Sequence, residues 1–213
     1  MPFSFPRIYP ILDTSFIPQT GRTEFLRRLG SSLTDAGVTL LEYRNKTGAE
    51  AELLADAALL RAALPAGKVK LILDDRADLV DRIGFDGVHV DAGDLSPAEA
   101  RKLLGPDRIV GTFGGGAALV PGVLATPANY FSIGAVFPTR TKKVSAPPIG
   151  IEGVRQLRKE AGPNPVLVAI GGITLASASE VLAAGATVLA IAGALFRQAD
   201  PAGEFRRWLE LVH

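Results

Sequence analysis

The feature that most constrains this chain is the regular alternation of short apolar runs with longer segments of helical spacing. Runs such as 71–73 and 166–168 are continuously apolar, which is typical of strands buried on both faces. Strands that alternate with helices indicate parallel β-α-β units. The predicted strands cover residues 8–12, 38–43, 69–73, 87–90, 109–112, 130–133, 166–170 and 188–191.

Most of the segments between these strands predict helices. Ser96 opens one of them, because serine is a good N-cap, Pro97 suits the first helical position and Glu99 completes a capping box. Residues 117–125 predict only a weak helix, since Pro121 and a glycine interrupt it, and the triple glycine at 114–116 is interpreted as a flexible loop. The other predicted helices cover residues 23–36, 49–64, a short stretch through 79–83, 151–161, 176–184 and 202–212.

Repetition of this strand-helix unit favours one fold over its main competitor. Eight such units can close into a (β/α)₈ TIM barrel, and 213 residues lie at the compact end of its size range. An open, doubly wound sheet is the alternative. No linker, repeat or low-complexity tract divides the chain, so we predict a single domain over residues 1–213.

Composition excludes several classes of site. The chain has 23 Lys and Arg against 22 Asp and Glu, so bulk charge does not favour nucleic acid and any anion site must be local. The absence of cysteine excludes disulfides, thiol nucleophiles and cysteine metal sites. The two histidines cannot form a three-histidine zinc centre, and His89, inside an apolar strand, is interpreted as structural.

Neither the first residues nor the apolar stretches of the chain predict export or membrane insertion. The first residues lack a basic segment followed by an apolar one, so we expect no signal peptide. The longest apolar stretches reach about ten residues, whereas a bilayer span needs ~20. We therefore expect a cytoplasmic protein without a membrane partner, and the sequence leaves monomer or homo-oligomer open.

A barrel places functional residues directly after its strands, at one rim. Asp74, Asp75 and Asp94 follow the third and fourth predicted strands, where they could hold Mg²⁺, which takes one or two carboxylates with waters and phosphate oxygens. Arg44 and Lys46 lie two residues apart after the second strand and therefore point the same way, toward one polyanion. Taken singly, helix caps, turns and surface salt bridges explain these residues equally well.

The last three predicted strands are followed by a different chemistry. The loop after the sixth strand is rich in hydroxyls and cations, which suits phosphate, and it includes Thr139, Thr141 and Lys142. Small residues follow the seventh and eighth strands, namely Gly171, Gly172, Ala192 and Gly193. Such residues let backbone N–H groups approach a phosphate, although tight turns account for the glycines as well. Because acids, cations and small residues all fall at the same strand ends, the joint pattern favours a phosphate-binding mouth.

At these residues the chain resembles the thiamine phosphate synthase family, from about residue 8 to residue 201. The most specific piece is 138–143, which is similar to the family's PTxTK loop. The acidic stretch 75–95 is similar to the family's metal-binding region, and 169–173 resembles its phosphate loop. Arg44 and Lys46 fall on the family's R-x-K pair.

The resemblance implies a transferase that acts on small phosphorylated substrates. Hydroxymethylpyrimidine pyrophosphate would bind with Mg²⁺ and lose pyrophosphate, and the nitrogen of thiazole phosphate would capture the resulting carbocation to give thiamine phosphate. Electrostatic stabilisation of the leaving group would then supply most of the rate. By match, Asp75 and Asp94 hold the metal, and Arg44, Lys46 and Lys142 meet the pyrophosphate. The positions that would bind the thiazole phosphate are Thr139, Thr141, Gly171, Gly172, Ala192 and Gly193.

Three candidate substrate-binding positions depart from the family pattern. Glu42 stands where the family has glutamine, Asp74 where it has asparagine, and Phe113 where it has serine. Two alternatives to the synthase follow. One is a thiazole tautomerase-like isomerase, which needs proton transfer and lacks the usual histidine near Gly114. The other is a non-catalytic barrel that binds a phosphorylated ligand.

Overall fold

The computed structural model describes residues 3–46, 48–139 and 146–212. Its strands form a closed parallel barrel in chain order, in which the last strand pairs with the first. This confirms the predicted (β/α)₈ barrel over the open sheet. The strands are β1 (Ile8–Asp13), β2 (Leu40–Arg44), β3 (Lys70–Asp74), β4 (Gly87–Val90), β5 (Ile109–Gly115), β6 (Tyr130–Gly134), β7 (Leu167–Ile170) and β8 (Val188–Ile191).

Helices pack around the outside of this barrel. In the predicted capping box, the Glu99 amide donates to Ser96 Oγ at 3.3 Å and the Ser96 amide donates to Glu99 Oε2 at 2.8 Å. The helices are α1 (Arg22–Asp35), α2 (Glu50–Ala63), α3 (Val80–Ile83), α4 (Pro97–Leu104), α5 (Gly150–Ala161), α6 (Leu175–Ala183), α7 (Gly193–Phe196) and α8 (Pro201–Val212). The short helix α7 was not predicted.

Two local predictions were wrong. The triple glycine does not form a loop, because β5 continues to Gly115. A Cβ at Gly114 would lie 2.8 Å from Phe131 Cβ, and one at Gly115 would lie 2.3 Å from Ala118 O. The end of β5 therefore packs so closely against its neighbours that only glycine fits there. The predicted helix over 117–125 reduces to the 3₁₀ turn Val123–Ala125.

Alternation along the strands creates two cores. Outward residues such as Leu41 and Tyr43 pack beneath the helices, whereas inward residues such as Leu40 fill the barrel. Phe3 and Phe5 pack against the interior residues. The inward positions become polar toward the carboxyl ends of the strands, where Glu42, Asp74 and His89 are buried. The interior cluster comprises Tyr9, Ile11, Leu40, Ile72, Ile109, Tyr130, Val168, Val188 and Ala190.

Candidate active site

Charged side chains from the first three strands meet at the carboxyl-terminal mouth of the barrel. Arg44 at the end of β2 forms an ion pair with Asp13 at the end of β1. Arg44 Nε also lies 3.4 Å from Asp74 Oδ2 at the end of β3. Asp74 is buried and Arg44 is mostly buried, so these charges compensate one another inside the mouth.

Lys46 reaches the same acidic residue as Arg44. Its Nζ lies 3.0 Å from Asp74 Oδ2, and it also forms an ion pair with Asp75. The two cations thus converge, as their spacing predicted. Burial raises the pKa of Asp74 by more than Lys46 lowers it. For Lys46, burial lowers the pKa, but Asp74 and Asp75 together outweigh it and raise the value.

Asp75 and Asp94 form an acidic pair beside this cluster. Asp75 has a left-handed backbone with φ of 65°, and its amide donates to His89 O at 2.8 Å. Asp94 is its acidic neighbour, close enough for Asp75 to raise the pKa of the Asp94 carboxyl group. Burial raises the pKa of Asp94, and neighbouring Asp75 raises it further, against the lowering by the amide of Asp91 at 2.8 Å.

The acidic pair fits a hard cation. Asp75 Oδ1 is buried and accepts no hydrogen bond in the described part of the chain. Two carboxylates that face each other with an unpaired oxygen offer the ligands that Mg²⁺ prefers. No group of three or more His, Cys, Asp or Glu residues within 3–46, 48–139 and 146–212 is arranged to hold an ion. Two carboxylates as ligands would leave coordination positions for water and phosphate oxygens.

The opposite side of the mouth is built from backbone and small residues. The segment after β6 lies on β7, because the Val136 amide donates to Ile170 O and the Phe137 amide donates to Gly171 O, both at 2.9 Å. A Cβ at Gly172 would lie 2.5 Å from Pro138 O. This close approach brings the strand end at Gly172 against the segment that leads to Thr139.

The remaining predicted positions lie around this rim or outside the described residues. Thr139, Ala192 and Gly193 are partly exposed, and Gly193 begins α7. Phe113 is half-buried on β5, in register with Ser132. Thr141 and Lys142 fall among residues that the structure does not describe, so their roles stay predictions.

A chain of buried polar groups crosses the barrel interior beneath the charged mouth. The Tyr9 hydroxyl lies 2.8 Å from Glu42 Oε2 and 3.1 Å from the Tyr130 hydroxyl. The Tyr130 hydroxyl lies 3.0 Å from His89 Nδ1, and His89 Nε2 lies 3.5 Å from Asp91 Oδ1. His89 is therefore a buried member of a polar chain rather than an isolated core residue.

The pKa of Glu42 reflects its place in this chain. Burial raises it to about 7, and the negative charge of Asp74 acts in the same direction. His89 and Arg44 lower it, and so would a hydrogen bond donated by Tyr9 to the ionised carboxylate, but together they do not offset the burial.

Sequence reasoning missed three residues of this site, Asp13, Tyr9 and Tyr130. Tyr9 and Tyr130 occupy inward positions of predicted strands, and Asp13 directly follows the first predicted strand. The available signal was therefore the alternation itself, which places Tyr9 and Asp13 on the same face as the interior residues.

Comparison with known proteins identifies the family. The family model for thiamine monophosphate synthase matches residues 8–195. A thiamine-phosphate synthase of Koribacter versatilis is 38% identical over 208 residues, which is 98% of this chain and 96% of that protein. One from Agrobacterium fabrum is 38% identical over 167 residues, covering 77% of this chain and 76% of the relative.

Solved structures agree with this assignment. A thiamine phosphate pyrophosphorylase from Pyrococcus furiosus superposes with a TM-score of 0.76 at 25% identity, covering 97% of this chain and 95% of the other. Among the described residues, no helix has the length and apolar character needed to cross a membrane. On the match over nearly its whole length, this chain belongs to the thiamine monophosphate synthase family.

Proposed function

We propose that this chain condenses hydroxymethylpyrimidine pyrophosphate with thiazole phosphate, giving thiamine phosphate and pyrophosphate. The observation that carries the proposal is the convergence of Arg44 and Lys46 on Asp74, with Asp75 paired to Lys46 and neighbouring Asp94. An acidic pair for a divalent ion next to two cations is the arrangement that a diphosphate leaving group requires.

Asp75 and Asp94 would hold Mg²⁺ in this reaction. The buried, unpaired oxygen of Asp75 and the facing carboxyl group of Asp94 support this role. When bound, the ion neutralises negative charge on the departing pyrophosphate.

Arg44 and Lys46 would bind the diphosphate directly. Both are paired with carboxylates, Arg44 with Asp13 and Asp74, and Lys46 with Asp74 and Asp75. We propose that phosphate oxygens replace part of these contacts and that the two cations stabilise the charge that develops as the carbon–oxygen bond breaks. Lys142 is the proposed third cation of this set.

The β6–β8 side of the mouth would take the thiazole phosphate. Its binding groups would be the Thr139 and Thr141 hydroxyls and the backbone at Gly171, Gly172, Ala192 and Gly193. The thiazole nitrogen already carries a free electron pair, so its attack on the carbocation requires no general base. A site without a cysteine or histidine nucleophile is therefore compatible with the chemistry.

The three positions that depart from the family have distinct proposed roles. Glu42 accepts a hydrogen bond from the amino group of the pyrimidine. Asp74 contacts both cations and so orients them rather than the metal. Phe113 borders the ring from β5. We further propose that the protein acts in the cytoplasm on these small substrates, without a nucleic-acid or membrane partner.

Product analysis tests the proposal. Both substrates are mixed with the protein and Mg²⁺, and thiamine phosphate and pyrophosphate are quantified, with thiazole phosphate omitted as the control. We expect equal amounts of both products. Conversion of thiazole phosphate without Mg²⁺ or pyrophosphate release would instead indicate the isomerase. Calorimetric binding of the substrates with no product after long incubation would indicate the non-catalytic barrel.

A further inference from the structure

Glu42 is a buried acid with one oxygen left unpaired. It is 4% exposed, on an inward position of β2 two residues below Arg44. Its Oε2 lies 2.8 Å from the Tyr9 hydroxyl. Within the described residues, its Oε1 makes no side-chain hydrogen bond, so this oxygen remains for a ligand.

The tyrosines beside Glu42 are held by several strands. Tyr130 comes from β6, and its ring occupies the space of an absent side chain on β5. A Cβ at Gly111 would lie 1.9 Å from the Tyr130 ring carbon Cζ and 2.4 Å from its hydroxyl oxygen. The Tyr130 ring also stacks on His89 with 5.5 Å between ring centres. The hydroxyl is thus fixed between Tyr9 and His89.

The hydrogen positions in the row Glu42–Tyr9–Tyr130–His89 can be assigned by counting donors and acceptors. Each tyrosine hydroxyl donates one hydrogen and accepts others, and a neutral histidine donates from one nitrogen only. If Glu42 carries a proton on Oε2, it donates to Tyr9, Tyr9 donates to Tyr130, and Tyr130 donates to His89 Nδ1. All of these bonds are then filled, and the neutral His89 directs its Nε2 hydrogen toward Asp91.

The opposite direction is less favourable. Tyr9 would donate to a buried Glu42 carboxylate, and His89 would donate from Nδ1 to Tyr130. His89 Nε2 would then either face Asp91 Oδ1 at 3.5 Å with a lone pair or carry a second buried charge. In the charged form, burial lowers the pKa of His89, but Asp91, Glu42 and Asp74 outweigh it and raise the value. This form buries two more charges, on Glu42 and His89, than the neutral arrangement, and the burial of charge opposes it.

We propose that Glu42 acts as a neutral carboxylic acid, whose proton is held in place by the positioning residues Tyr9 and Tyr130. Its Oε1 then accepts a hydrogen bond from the amino group of the pyrimidine substrate. This inference rests on the proposed function. Glutamine, which the family pattern has at this position, offers the same arrangement: an N–H toward Tyr9 and a carbonyl oxygen toward the substrate. Glu42 therefore serves as the equivalent of that glutamine without adding charge next to a diphosphate.

The surroundings of Glu42 define the expected pH dependence. The raised pKa of about 7 agrees with a neutral form that is present below this pH and lost above it. The titratable and charged groups that face Glu42 are Tyr9 from β1, Arg44 from its own strand, Asp74 from β3, His89 from β4 and Tyr130 from β6.

The first test is the pH profile of kcat/KM for the pyrimidine diphosphate. In the wild type we expect a fall of about tenfold per pH unit above neutrality, or about 30-fold by pH 8.5, because kcat/KM reports groups of the free enzyme. Glu42→Gln should show no such fall between pH 6 and pH 8.5, whatever its activity relative to the wild type, because the titrating group is gone. Glu152→Gln, which changes an exposed acid on α5, is the control and should follow the wild type. A wild-type profile that is level or rises to pH 8.5 would overturn the proposal.

The second test removes the tyrosine hydroxyls. Tyr9→Phe and Tyr130→Phe should raise KM for the pyrimidine diphosphate about tenfold with little change in kcat, and should move the pH at which kcat/KM falls. Tyr43→Phe is the matched control, because it removes a buried hydroxyl from the outer face of β2. If Tyr9→Phe behaves like Tyr43→Phe, the positioning role is wrong.

Calorimetry separates this inference from the proposed function. Binding of the pyrimidine diphosphate is measured at pH 6 and pH 8.5 in the wild type and in Glu42→Gln, without the second substrate. Weaker binding at pH 8.5 in the wild type alone supports the neutral Glu42, even if no thiamine phosphate is ever formed. Formation of thiamine phosphate together with pH-independent binding would overturn the neutral Glu42 and leave the synthase intact.

Discussion

The second strand separates two acidic clusters that differ in how completely they are paired. On its outer face, Tyr43 donates to Asp56 Oδ2 at 2.6 Å, and Arg22 Nε donates to Asp56 Oδ1 at 2.8 Å. Both oxygens of this buried carboxylate therefore have partners. At the mouth, Asp75 keeps a buried oxygen that has no partner among the described residues, and its acidic neighbour is Asp94.

This difference distinguishes a structural carboxylate from one arranged for a ligand. A buried acid with all its hydrogen bonds made stabilises the packing of α1 and α2 against the barrel. An acid with an unpaired oxygen beside a like charge reduces stability unless a cation binds, and proteins tolerate that cost at functional sites. The two clusters should therefore respond in opposite ways to substitution.

The largest expected effect is on stability, at the outer cluster. Asp56→Ala removes the buried partner of Arg22 and of the Tyr43 hydroxyl and leaves them the weaker contacts with Glu52 and Asn45. We therefore expect a loss of about 3 kcal/mol in the free energy of unfolding. Urea denaturation measures it, and Asp56→Asn provides a milder variant if the alanine protein does not fold. The turnover number of the folded protein should stay within about threefold of the wild-type value. If both variants lose less than about 1 kcal/mol in the free energy of unfolding, Asp56 is not a structural carboxylate in contrast to Asp75.

Asp75→Asn should have the opposite signature. We expect turnover to fall by about 10–100-fold, because one of the two metal carboxylates is lost. The free energy of unfolding should change little, since the relieved repulsion from Asp94 offsets the weakened ion pair with Lys46. Asparagine tolerates the left-handed backbone at this position, which keeps strain out of the comparison.

Asp81→Asn is the matched control for that experiment. Asp81 is an exposed acid of α3 that pairs with Arg108 away from the mouth. It should change neither turnover nor stability measurably. Full activity of Asp75→Asn would show that the acidic pair is not the metal site.

Lys142→Ala tests the cation from the loop after β6. Loss of the positive charge that Lys142 would place beside the pyrophosphate leaving group should lower turnover by at least about tenfold. Lys68→Ala is the comparison, because Lys68 is exposed in the segment that enters β3 at the other end of the barrel. Equal activity of the two variants would exclude Lys142 from the pyrophosphate site.

Gly172→Ala should give the smallest effect and should act on the other substrate. The added methyl group meets Pro138 O at 2.5 Å, so we expect KM for thiazole phosphate to rise by roughly three- to tenfold while KM for the pyrimidine diphosphate stays constant. Gly84→Ala is the control, because Gly84 has a left-handed backbone with φ of 69° and an added Cβ would meet only the Arg61 side chain, at 4.0 Å. It isolates a strain cost of about 1 kcal/mol. Equal changes in both KM values would contradict the separation of the two phosphate sites.

Much of the fold was readable from the sequence because each strand is short, apolar and bounded by turn residues. The bounds of β4 and β8 were predicted correctly. The end of β5 was not, because its glycines serve close packing against β6 and the following segment, which local sequence does not reveal. The extent of a single domain over residues 1–213 stays a prediction.

The candidate site, like the fold, was predictable from the sequence only in part. The barrel rule located Arg44, Lys46, Asp74, Asp75 and Asp94 at one mouth, since residues after parallel strands meet at one end. The contact between Tyr9 and Tyr130 joins residues 121 positions apart, so no local spacing indicates it. The proton arrangement around Glu42 depends on that contact and therefore required coordinates.

A crystal structure with Mn²⁺ in place of Mg²⁺ and with inorganic pyrophosphate tests the central claim most directly. We predict an anomalous peak bound by both Asp75 and Asp94, with the diphosphate on its far side in contact with Arg44 and Lys46. A peak that touches neither aspartate, or a diphosphate bound only at the β6–β8 side of the mouth, would contradict the account.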